Sequence, residues 1–134
     1  MTAARIEKVY EDRAGARTFL AQADTILGDA DATGLSAPSR SILLHSAAVS
    51  ACDAILQAVG QRVTVGDGAH MLRLETALEH LDGDTEDLLE RLDASRARRN
   101  EASYAAAFVA QASLDEAREA TAELIELARG FVDA

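Results

Sequence analysis

The chain has 134 residues with one cysteine, one proline, no tryptophan and 29 alanines, and 23 acidic against 13 basic residues leave a net charge of -10. That length predicts one domain over residues 1–134, with enough burial for a core without disulfides or metals. The composition excludes a collagen, a disulfide scaffold and a β-sandwich, and the acidity excludes nucleic-acid binding through the overall field, so any such site must be local.

Five helices are predicted in chain order. The first covers about Thr2 to Leu27, with Ile6, Val9, Tyr10, Leu20, Ala23 and Leu27 on one side. The second starts after Ser36, has Pro38 in its first turn and ends at Val59 before Gly60. Its one polar stripe is Ser46, Ser50, Asp53 and Gln57, so it is expected at the centre of the bundle. Cys52 lies in its apolar run and reads as a buried, reduced thiol. No apolar run approaches the roughly 20 residues that cross a bilayer, and no signal peptide is read, so a cytoplasmic protein without membrane contact is expected.

The segment Gln61–Gly68 is expected to be an ordered loop, too short for a sheet. The third helix carries Met71, Leu74, Leu78 and Leu81 in register, with His70 beside the stripe and His80 pointing to solvent. The fourth begins near Thr85, with acids in its first turn and Leu88, Leu89 and Leu92 inward. The fifth opens with Ser113-Leu-Asp-Glu116, a capping-box pattern, and buries Leu114, Ala117, Leu124, Ala128 and Phe131. Its Glu116, Glu119, Glu123 and Glu126 make an outer acidic face.

The chemically informative stretch is Arg91–Tyr104, with four arginines in nine residues. At roughly 100° per residue, Arg96 and Arg99 lie about 40° and 20° from Leu92, so both extend the inward stripe, while Arg91 and Arg98 turn outward. An inward guanidinium requires a partner. It is either a structural ion pair, with Asp53 as the natural carboxylate, or a phosphate site at a groove or subunit interface.

Arg99-Asn100-Glu-Ala-Ser-Tyr104 resembles the Arg-Asn-x-x-x-(His/Tyr) signature of the HEPN superfamily, the higher eukaryote and prokaryote nucleotide-binding domains. The order of the Ala-Cys-Asp53 helix, Gly60-Gln-Arg62-Val, the glycine loop before His70 and a closing helix agrees with it. The resemblance implies an all-α, five-helix up-and-down bundle that forms a homodimer. It implies nucleotide or RNA phosphate bound at the dimer cleft by Arg99 and Asn100, to which the inward direction read above adds Arg96, with Asp53 orienting one arginine. Metal-independent RNA cleavage is the activity of active members, and a nucleotidyltransferase-fold partner accompanies the toxin–antitoxin members. No cofactor or metal is implied.

All three histidines precede Arg99, and Tyr104 stands where the family has histidine. A phenol titrates near 10 when unperturbed, against about 6.5 for imidazole, so the expected ribonuclease activity is weak or absent unless His70 supplies the base. Tyr104 is alternatively an acceptor of a nucleotidyl group. The competing reading is a non-catalytic helical interaction module with structural arginines. Glu75, Glu79 and His80 do not supply a di-iron pattern, and the zinc, P-loop, Rossmann, Ser-His-Asp and helix-turn-helix patterns are missing.

Overall fold

The structure is a computed structural model, described here for residues 2–94 and 111–134. It is an all-α bundle with one two-stranded sheet. Its elements are β1 (Ile6–Lys8), α1 (Arg13–Ala30), α2 (Ala37–Ala58), β2 (Gln61–Val63), α3 (Ala69–Glu79), a helical stretch over 86–94 (α4) and α5 (Gln111–Asp133).

The central helix follows its sequence signals closely. Ser36 caps α2 by accepting from the Ser39 amide, and Pro38 sits in the first turn, where its missing N–H is harmless. Val59 closes the helix, and Gly60 follows at φ +73°, the left-handed conformation that glycine adopts without a Cβ penalty. The helix packs against α1, α3, α5 and β2. Its Ala51, Cys52, Ala54, Ile55 and Leu56 join Leu20 of α1, Leu74 and Leu78 of α3, Leu88 and Leu92 of α4, and Leu124 and Ile125 of α5 in the main core. Alanine at the crossings lets helices approach closely, which accounts for a composition so rich in it.

By length and composition alone α2 is long and apolar enough to cross a membrane, with 22 residues and a mean hydropathy of 1.3 over its most apolar 18-residue window. This corrects the expectation from apolar runs. Ser46, Ser50 and Asp53 interrupt the run without lowering the mean enough. In this fold the helix is the central element, with 56% of its most apolar window buried.

The first predicted helix is corrected in its first third. Ile6–Lys8 is a strand, paired antiparallel with Gln61–Val63, and the helix starts at Arg13 behind an Asp12 cap. The loop expected at Gln61–Gly68 therefore begins as a strand. Backbone bonds from Val9 N to Gly60 O, Thr64 N to Arg5 O and Ala4 N to Asp67 O extend the join in both directions. Tyr10, expected inward, is 94% exposed, because the helix that would have buried it does not exist there.

Two smaller corrections follow. Ser113 is not a cap, since α5 is already formed at Gln111. His80 does not point to solvent. It is half-buried, with Nε2 2.9 Å from Gln61 Oε1 and its ring 5.9 Å from Phe131. This joins the ends of α3 and α5 to the start of β2.

Candidate functional site

The loop after β2 sets up the site. It runs from Thr64 to Gly68, is held by the N-terminal segment through Asp67 and Thr64, and delivers α3 against α2. His70 then lies in the first turn of α3 and Arg73 one turn later. On α2, His45, Val49 and Cys52 recur at helical spacing and face them. The rings of His45 and His70 meet edge to face, with centroids 4.9 Å apart and planes at 66°.

These groups line a narrow cleft with Ala48, Leu74 and Leu92. Its interior is about 30 Å³, room for a water molecule or two and not for a nucleotide. A larger open cleft of about 590 Å³ adjoins it, lined by the loop from Val63 to Gly68, by His70 and by Arg73. That volume falls within the range of small-molecule sites, roughly 300–1,000 Å³. Of these two clefts, the open one on the outer side of His70 and Arg73 has room for a ligand of nucleotide size.

Arg73 Nε donates to Asp53 Oδ1 at 3.0 Å, and the two side chains are 18% and 29% exposed. Burial pushes the Asp53 carboxyl up from the ordinary aspartate range, and the charge and hydrogen bond of Arg73 act against that rise. Burial likewise pushes the Cys52 thiol up to about 12. Cys52 is thus a packing residue at the floor of the cleft, without thiolate chemistry at neutral pH.

Among the described residues the arginine that pairs with Asp53 is Arg73, whereas the sequence points to Arg96 or Arg99. Arg73 is not among the candidates the sequence offers, because it is a lone arginine on α3 while the cluster from Arg91 to Arg99 is dense. The signal was present, since Arg73 lies one turn after His70. Arg96, Arg98, Arg99, Asn100 and Tyr104 lie outside the described residues. His70 is exposed at the rim of the cleft and His45 half-buried inside it. Arg91, expected to turn outward, reaches across to α5, with its guanidinium 2.7 Å from Glu123 and 3.5 Å from Asp87. No group of three or more His, Cys, Asp or Glu side chains suited to a metal ion is found among the described residues.

The fold and the site together define an all-α bundle with a histidine–arginine cleft beside its central helix. No model of a known protein family, no curated protein and no solved structure gives a significant match to the chain.

Proposed function

We propose that this protein is a HEPN-like helical protein, a cytoplasmic homodimer that binds the phosphate of a nucleotide or RNA at an arginine-centred cleft. In this reading it serves a toxin–antitoxin or defence system beside a nucleotidyltransferase-fold partner. The observation that supports the reading is the meeting of two imidazoles, His45 and His70, with the guanidinium of Arg73 in one cleft. Leu92 lines the same cleft, and Arg96 and Arg99 follow it by four and seven positions in the sequence. On this reading Arg96, Arg99 and Asn100 hold phosphate and His70 is the first candidate for a general base. Tyr104 contributes little to proton transfer.

Fluorescence anisotropy with a labelled single-stranded RNA and with a labelled nucleotide tests the proposal. The expected result is binding by the wild type, its loss in Arg99→Ala, and an unchanged melting temperature. Cleavage of the RNA without metal is expected to be weak or absent, and Tyr104→His to raise it. Light scattering is expected to give about twice the 14.2 kDa chain mass.

A second reading is favoured by a specific observation. Six of the nine arginines among the described residues form ion pairs, namely Arg17, Arg62, Arg73, Arg91, Arg118 and Arg129. In a chain that uses arginine this way, the protein is a helical interaction module. Arg99→Ala then lowers the melting temperature and no RNA or nucleotide binds. Melts run beside the anisotropy assay separate the two.

A further inference from the structure

The guanidinium of Arg73 is only partly used. Its Nε is committed to Asp53, and among the described residues neither terminal nitrogen has a hydrogen-bond partner. The side chain is 18% exposed, so this fork is mostly withdrawn from bulk water. It also lies where three clefts meet. One is the narrow histidine cleft and one the open cleft of the glycine loop, and the third is bounded by Phe19, Asp53, Gln57 and Arg62. A guanidinium fixed at Nε and open at both terminal nitrogens is preorganised for an oxyanion, because its remaining donors form a planar fork that matches two phosphate oxygens.

We infer that Arg73 is the anion-receiving residue of the open cleft, taking a phosphate group on its terminal nitrogens, and that Asp53 is a positioning residue that fixes the guanidinium plane through Nε. The inference rests on the phosphate reading for the class of ligand only, and it assigns the contact to Arg73 without using Arg96 or Arg99. His70, one turn earlier on α3 and exposed on the same cleft, is the second group beside the ligand. Arg62, at the neighbouring cleft, gives a single terminal nitrogen, Nη2, to both oxygens of the Glu7 carboxylate at 3.1 and 3.0 Å, and its side chain is 65% exposed, so Arg73 is the more sheltered guanidinium there. The carboxylate of Asp53 offsets part of the cation's charge, so affinity for a simple anion is modest and selectivity comes from the fork.

The test is a titration of inorganic phosphate into the full chain at constant ionic strength, followed by nitrogen–proton NMR of the backbone and of the arginine Nε groups. The expected result is a saturable shift at Arg73 Nε and at residues 66–71. Arg73→Gln is expected to weaken binding roughly tenfold or more, and Arg73→Lys to restore only part of it, since an ammonium keeps the charge and loses the fork. Asp53→Asn is expected to move the free Arg73 Nε resonance and weaken phosphate binding with the fold intact by circular dichroism. A merely structural Asp53 would change the melting temperature and leave phosphate affinity alone. Should Arg73→Gln fail to fold, the wild-type Arg73 Nε resonance still decides. No saturable shift there, or a phosphate affinity read at residues 66–71 that Arg73→Gln leaves unchanged, overturns the inference. The two proposals fail separately. RNA binding lost in Arg99→Ala with phosphate indifferent to Arg73→Gln removes this one alone. Phosphate bound through Arg73 with no RNA or nucleotide binding removes the other alone.

Discussion

Cys52 carries the plainest consequence of burial for an ionisable group. It is 2% exposed, packed in the main core, and its thiol is pushed up to about 12, first by desolvation and then by the nearby Asp53 charge. The folded thiol thus holds its proton more tightly than the unfolded one, whose ordinary value is 9.0. Its contribution to stability is fully present below the unfolded value and is lost as pH rises from about 9 to about 12. At pH 8 the native protein is expected to resist iodoacetamide and Ellman's reagent, with one thiol titrating in denaturant. Rapid native-state alkylation would show that the cleft floor opens far more readily than its packing implies. The same burial acts on Asp53, yet its neighbour Arg73 moderates it. The sequence placed both residues correctly on α2, one inward and one on the polar stripe. It could not name the partner of Asp53, because that contact depends on how α3 is laid against α2 and not on spacing within either helix.

At the scale of elements, the glycines separate cheap positions from costly ones. Gly28 is inside α1, and a Cβ there meets nothing within 4 Å. Gly66 is in the loop before α3, where a Cβ would lie 2.5 Å from the Thr2 carbonyl oxygen and 2.7 Å from the Ala4 amide nitrogen. Both contacts are with backbone, so no side chain can swing away. Gly28→Ala is expected to stabilise by about 0.5–1 kcal/mol, through helix propensity and a less flexible unfolded chain. Gly66→Ala is expected to destabilise by roughly 1–3 kcal/mol and to loosen the N-terminal segment, seen as faster amide exchange at Ala4 and Asp67. Denaturant melts of the two variants should therefore move in opposite directions, and a Gly66→Ala protein as stable as wild type would mean the N-terminal segment is not held there. This segment is also where reading the sequence went wrong. Ile6, Val9 and Tyr10 fit a helical stripe, and three-residue strands are too short to show alternation. The available signals were Asp12, whose side chain accepts from the Gly15 amide, and the β-branched Val63-Thr-Val65 that could receive a partner strand. The long helices were legible because each buries a stripe over several turns. The site was legible only for the residues those helices carry.

For the molecule as a whole, the arginines explain how a chain of net charge -10 stays closed. Arg17 pairs with Asp133, Arg118 with Asp31 and Arg129 with Asp24, and Arg13 donates to the Val132 carbonyl, so four arginines join α1, or the residue just after it, to α5. Each of the three ion pairs is about half exposed, which limits it to roughly 0–1 kcal/mol. Removing one arginine also leaves an unmatched acid in an acidic protein, so local pairing and overall repulsion change in the same direction. Both terms are screened by salt. Arg118 and Arg129 stand 11 residues apart on α5, about 16 Å along the axis, and share no partner, so their effects should add. Arg118→Ala and Arg129→Ala are each expected to destabilise by roughly 0.2–1 kcal/mol at low salt, the double variant by the sum, and all three to approach wild type at high salt. Urea melts at low and high sodium chloride measure this directly. A cost that does not shrink with salt would mean the arginines act through the packing of their aliphatic stems against α1, and that charge is not what fastens α5 to it.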